Sequence, residues 1–457
     1  MRYSISLLIL LVFSGCGYKK PANPDNILAV DKLGSPINPK SGEEFTGKEE
    51  LNRHVQRLLP ESKKRILIFI HGGLNTDDAA IQRSNDWASP IMHDGYWPIF
   101  VQWPSGFFST FKEHILYLRQ GEYATWTGPL TSPFILFEDV GRGIIRAPMV
   151  WWYQGRDFTK SIAFGNLPSE RDALRTNQLL AVEQPTRFAE IPSVVNSQGQ
   201  LLHEQGISER FGKGLKSLFQ FHLGLLTAPI FDSFGTGAWD DMKRRTYQAL
   251  AKTWVENPEF QSIDTYTKER EGGLTAFFDA LSKRQQRDED LEIVLIGHSM
   301  GTIIANSILK KWPEINYDRI VYLAAACSIA DFQGSVVPHL KKNNKTRFFN
   351  LMLHPLAENQ EAHMIGFGGT GTLLNQIDNI YENAVSMSQR TLGKWENTMN
   401  GIQFFDIPGI RQQIYLRTMP LGNGYLTTHG SFAEAYDNTV VGQFWQERFG
   451  IPSNNKP

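Results

Sequence analysis

The stretch "EIVLIGHSMGTIIANSIL", residues 292–309, runs from an unbroken apolar segment through a short polar knot into a helical pattern. Ile293 to Ile296 read as a strand buried on both faces, and the apolar spacing from Thr302 onward predicts a helix. Between them stands Gly297-His298-Ser299-Met300-Gly301, a Gly-x-Ser-x-Gly pentapeptide. A serine at a strand-to-helix elbow occupies a strained backbone conformation, and glycines two positions away on either side leave room for the turn. The turn lifts the hydroxyl out of the sheet and sets it beside a helix N-terminus, where exposed amides favour developing negative charge.

Five further apolar runs are bounded by Gly, Pro or polar clusters: "RILIFIHGG" from Arg65, "WPIFVQWPSG" from Trp97, "RIVYLAAA" from Arg319, "RFFNLMLHP" from Arg347 and "QIYLRTMP" from Gln413. With helix-like segments between them, they predict an α/β domain over 63–457 whose mostly parallel sheet is flanked by helices. Residues 105–286 are far longer than one crossover helix requires, so they are expected to form a cap insertion. Two of its segments, "SPFILFEDVGRGIIRAPMVWWYQG" from Ser132 and "SLFQFHLGLLTAPIF" from Ser217, are aromatic and apolar. Such segments serve as helix faces packed on the main domain, or as a lid lining an acyl pocket or resting on a membrane. Glu138, Asp139, Arg142 and Arg146 interrupt the first, and Gly224 and Pro229 the second, so neither reads as a span.

The pentapeptide in its strand-turn-helix setting, with the strand series around it, resembles the α/β-hydrolase superfamily on its lipase and esterase side. The resemblance implies the α/β-hydrolase fold, a serine nucleophile, and an acid and a histidine following it in the chain. Ser299 is the implied nucleophile. His429, in "GYLTTHGSF" after the last strand, is the implied base. The acid is expected in a loop after one of two late strands. Glu358 follows the run from Arg347 and is favoured by position, whereas Asp331 follows the run from Arg319 and has the commoner residue type. His71-Gly72-Gly73 after the first strong strand is similar to the superfamily's oxyanion loop, which implies one amide from Met300 and another from Gly73 or Leu74.

Residues 1–16, "MRYSISLLILLVFSGC", carry one Arg, an apolar run from Ile5 to Phe13, and small residues before Cys16. This pattern reads as an export signal and resembles the lipobox of bacterial lipoproteins, which implies lipid attachment at Cys16 and a place in the cell envelope. Gly17 after the cysteine directs such a protein to the outer membrane if the host is Gram-negative. Residues 17–62 are read as a tether and N-terminal segment. If Cys16 carries lipid, only Cys327 remains of the two cysteines, and its apolar setting predicts an inert buried thiol.

A formal net charge of -1 gives no footprint of nucleic-acid binding. No His-Glu-x-x-His or dinucleotide fingerprint occurs, so neither metal nor cofactor is expected. The expected activity is hydrolysis of carboxylic esters, of small molecules or lipids, through an acyl-enzyme. An acyltransferase, thioesterase or amidase would use the same residues, and a non-catalytic surface-anchored binding protein is the alternative outside enzymes.

Overall fold

The computed structural model describes residues 21–74, 76–119, 122–124, 126–165, 189–190, 232–250, 273–353, 357–358, 372–418 and 428–433. All six apolar runs form strands: β3 (Arg65–Ile70), β4 (Trp97–Gln102), β8 (Glu292–His298), β9 (Arg319–Leu323), β10 (Arg347–Met352) and β11 (Ile414–Thr418). They join β1 (Ile27–Val30), β2 (Pro36–Ile37) and β7 (Ala189–Glu190) in one sheet of order β2-β1-β4-β3-β8-β9-β10-β11-β7. Every pairing in it is parallel except β1 with β2. A two-stranded ribbon, β5 (Leu118–Arg119) with β6 (Glu122–Tyr123), stands apart from it.

The pleat divides the core in two. Ile66, Ile68 and Ile70 of β3 and Ile293 and Leu295 of β8 pack into the larger apolar cluster on one face, while Leu67, Phe69, Val294 and Ile296 pack into the other. Strands buried on both faces carry apolar residues at every position, as these do. At the opposite edge from the site, the first residues of three adjacent strands are latched together. Glu292 accepts from Arg65 Nε at 2.8 Å and from Arg319 Nη1 at 2.9 Å.

Helices α1 (Lys48–Leu58), α2 (Asp77–His93), α6 (Gly273–Arg287), α7 (Gly301–Lys311) and α8 (Ile329–Lys342) cover the sheet, while α3 (Phe107–Leu116), the long α4 (Thr127–Gly165) and α5 (232–248) lie within the insertion. Two differences from the sequence reading have simple causes. The segment 17–62 contributes strands from Ile27 onward, because β1 finds the free edge of β4. The insertion ends earlier than 286, since α6 buries Leu274, Phe277, Phe278 and Leu281 in the main core.

The sheet order also contains a reversal. From β3 the chain moves outward to β4, whereas from β8 it moves the other way through β9 to β10 and β11. The order therefore reverses between β3 and β8, the kind of switch point beside which open parallel sheets hold ligands. The His-Gly-Gly loop follows β3, and Ser299 follows β8.

Candidate active site

Ser299 has φ +50, a left-handed conformation that non-glycine residues seldom adopt. Neighbouring backbone holds it there. Its N–H donates to the Leu323 carbonyl at 2.9 Å, and its own carbonyl accepts from Ala326 N–H at 3.1 Å and from Thr302 Oγ1 at 2.7 Å. The flanking glycines are required by close approach. A Cβ at Gly301 would lie 2.3 Å from the Ile70 carbonyl oxygen, and one at Gly297 would lie 3.1 Å from Thr302 Cα.

His429 comes from the turn Thr428–Ser431, which Thr428 and Ser431 close by bonding each other's backbone and hydroxyls. Its Nε2 lies 2.9 Å from Ser299 Oγ, so the hydroxyl can donate to the ring. Both residues are buried. His298, the variable residue before the serine, contributes what the pentapeptide did not disclose: its Nε2–H donates to the His429 carbonyl at 3.2 Å. Burial, and next the neighbouring His429, hold the His298 pKa well below the ordinary histidine value, which keeps this ring neutral. The residue one step before the nucleophile thus fixes the backbone of the histidine.

The loop after β3 lies directly on the elbow. A Cβ on Gly72 would come 2.7 Å from Ser299 Cβ, and one on Gly73 would come 2.6 Å from Met300 Sδ. The Gly72 carbonyl is pinned by two donors, His71 Nδ1–H at 2.8 Å and Ser105 Oγ–H at 3.1 Å. In a trans peptide the N–H points away from the carbonyl, so the Gly73 N–H is turned from those donors. His71 Nε2 in turn accepts from Trp103 N–H at 3.3 Å, and burial depresses the His71 pKa to about 4, so one tautomer serves both bonds.

Leu74 corrects one expectation. Its N–H donates to the Ser105 carbonyl at 2.8 Å with Leu74 itself at φ +63, so this amide is committed to holding the loop and does not serve an oxyanion. Among the described residues neither Gly73 N–H nor Met300 N–H donates to a protein acceptor, and these are the two amides positioned beside the elbow. Beneath the loop, Arg245 Nη1 donates to the Pro104 carbonyl at 3.0 Å and Arg245 also pairs with the buried Glu113. Composition gave no signal for this support, which joins residues 132 positions apart.

The two candidate acids differ in what they do. Asp331 forms a capping box at the start of α8: its Oδ2 accepts from Ser328 N–H at 3.1 Å and Ser328 Oγ–H at 2.9 Å. It is half-buried and occupied with the helix end. Glu358 is buried beyond the carboxyl end of β10, and its Oε1 accepts from Thr372 Oγ1 at 3.5 Å. Asp331 is thus engaged at a helix start, while Glu358 lies in the segment after β10.

Cys327 is buried, and its thiol is pushed up to about 12 by burial and then by Asp331, which makes it a poor nucleophile. Cys16 lies outside the described residues. Comparison with protein-family models, with curated proteins and with solved structures finds no match to this chain. The reading of the site rests on its own residues.

Proposed function

We propose that the chain is a serine hydrolase of the α/β-hydrolase type, cleaving carboxylic esters through an acyl-enzyme. The observation that carries this reading is the 2.9 Å approach of His429 Nε2 to the hydroxyl of a serine held at φ +50. A serine hydroxyl is a poor nucleophile at its ordinary pKa, and an imidazole within hydrogen-bond reach is what activates it.

In the first half-reaction Ser299 Oγ attacks the ester carbonyl carbon as its proton passes to His429 Nε2. The carbonyl oxygen becomes an oxyanion that accepts from Gly73 N–H and Met300 N–H. Such donors are worth about 2.7–4 kcal/mol each when removed singly. Collapse breaks the bond to the alcohol oxygen, which leaves with the proton held on Nε2. Water then attacks the acyl-serine, gives its proton to Nε2, and departs as the carboxylic acid while Ser299 regains a proton. Glu358 holds the ring in its working tautomer and stabilises the imidazolium. The anchor read at Cys16 would place this activity on a membrane of the cell envelope.

A fluorophosphonate probe followed by peptide mass spectrometry tests the reading. Labelling of Ser299 that disappears in Ser299→Ala and in His429→Ala is the expected result. Folded protein that stays unlabelled, or hydrolysis of short p-nitrophenyl esters that survives Ser299→Ala, would overturn it.

A further inference from the structure

Helix α4 turns its face inside out relative to an ordinary surface helix. At 100° per residue, Leu130, Phe134, Phe137, Ile144 and Trp152, with Trp126 just before the first turn, fall within an arc of about 80°. This arc points outward: Leu130 is 77% exposed, Phe137 80% and Trp152 71%. On the opposite side, Asp139 takes His114 Nε2 at 2.9 Å and Arg142 Nη2 at 2.6 Å, Arg146 Nη1 pairs with Asp232 at 3.2 Å, and Val150 is buried. The charged side chains therefore fasten the helix to the domain and leave the stripe facing away from it. Monomers seldom show an apolar patch beyond a few hundred Å², and this stripe with its neighbours exposes on the order of 1,000 Å².

We propose that the outward face of α4 is a lipid-docking surface, lying in the plane of the bilayer interface with its stripe among the acyl chains. Three observations favour lipid over a protein partner. First, protein interfaces carry about one hydrogen bond per 100–200 Å². The named stripe residues offer no side-chain donor or acceptor except the indole N–H groups of Trp126 and Trp152. Second, the stripe runs for about 39 Å along the axis by the helical rise. Yet no described helix is apolar enough to cross a membrane, so α4 can lie on one but not span it. Third, the apolar run Ile5 to Phe13 and Cys16 precede Pro21, the first described residue, by a short stretch. Cys16 held at a bilayer would keep Pro21 within roughly 18 Å of it by chain length. This inference uses the reading of Cys16 as an anchor and is independent of the chemistry at Ser299.

The test uses the full chain reconstituted in phosphatidylethanolamine–phosphatidylglycerol vesicles, with nitroxide labels on cysteines introduced singly as Leu130→Cys, Phe137→Cys or Ile144→Cys. Val385→Cys, at an exposed position in the segment that meets the inner, gripped face of α4 through Ile380, is the aqueous control, and the chain with no added cysteine gives the background from Cys16 and the buried Cys327. Relaxation by oxygen, which concentrates in lipid, is compared with relaxation by a water-soluble nickel chelate. The expected result is a severalfold higher oxygen-to-chelate ratio at the three stripe positions than at 385, lost at 130 when Phe137→Glu and Ile144→Glu are added. Chelate access at the stripe equal to that at 385 would overturn the proposal. So would labels shielded from both reagents, whether with dipolar broadening, which marks a second copy, or without it, which marks cover by the chain itself. Repeating the labelling in a Ser299→Ala background leaves the outcome unchanged.

Discussion

At the scale of single residues the site is a set of commitments. Each polar group near Ser299 that the structure ties elsewhere is taken out of the proposed reaction. Leu74 N–H is spent on Ser105, which leaves Gly73 and Met300 of the three expected amides for the proposed oxyanion site. Ser105 Oγ is one of two donors that hold the Gly72 carbonyl. Ser105→Ala should therefore lower kcat by about tenfold with KM little changed, because the loosened peptide fails an interaction made only in the transition state. Steady-state kinetics on a soluble ester separates the two constants, and a change in KM alone would contradict the assignment. If Glu358 orients His429 as proposed, Glu358→Gln should cost about 10²–10⁴ in kcat. A loss below about threefold would return the role to another carboxylate.

At the scale of elements, helix ends and helix faces explain what single residues cannot. Asp331 belongs to a capping box with Ser328, so its loss acts on α8. Asp331→Ala should destabilise the fold by about 0.5–2 kcal/mol while leaving the rate of ester hydrolysis within about twofold. Denaturant unfolding and kinetics on the same preparation check both halves. The cap teaches a related lesson. In α4 the residues Asp139, Arg142 and Arg146 interrupt an apolar sequence, yet they are the ones that grip the domain, through His114, Ser233 and Asp232. The segment 373–382 is clamped by the same machinery: Arg146 donates to the Ile380 carbonyl, Trp239 stacks on Tyr381 at 6.2 Å, and Lys243 pairs with Glu382 at 2.7 Å.

At the scale of the whole molecule, buried ionisable groups pull stability in opposite directions as pH changes. Burial lowers the pKa values of His71 and His339 to about 4 and that of His298 further below the ordinary value. Between pH 6.5 and 4 the unfolded chain binds more protons at these positions than the folded one, so their contribution is lost as pH falls. Asp241 opposes this. Burial, and then the neighbouring Glu113, raise it to about 7, so over the range from about 4 to 7 the folded state binds the extra proton and gains stability as pH falls. Asp241→Asn removes the offset. Its Tm should fall more steeply than that of the wild type between pH 6.5 and 4 in calorimetry, and parallel curves would show that Asp241 titrates normally.

The amino-acid sequence by itself determined the six main strands, the elbow at Ser299 and the glycine loop at His71–Leu74. Each of these is written in a short window: unbroken apolar runs signal two-sided burial, and glycines mark where chains approach closely. The short strand β1 was not legible, because four residues gain strand character only when β4 offers a partner. Nor could sequence decide between Glu358 and Asp331, since both follow strands and only the cap formed with Ser328 reveals that Asp331 is engaged. The 2.9 Å contact of Ser299 with His429 joins residues 130 apart. The outward stripe of α4 depends likewise on which side of the helix the domain grips. The contact and the outward face are set by tertiary structure because they are a distance and a direction, and neither exists until the chain has closed.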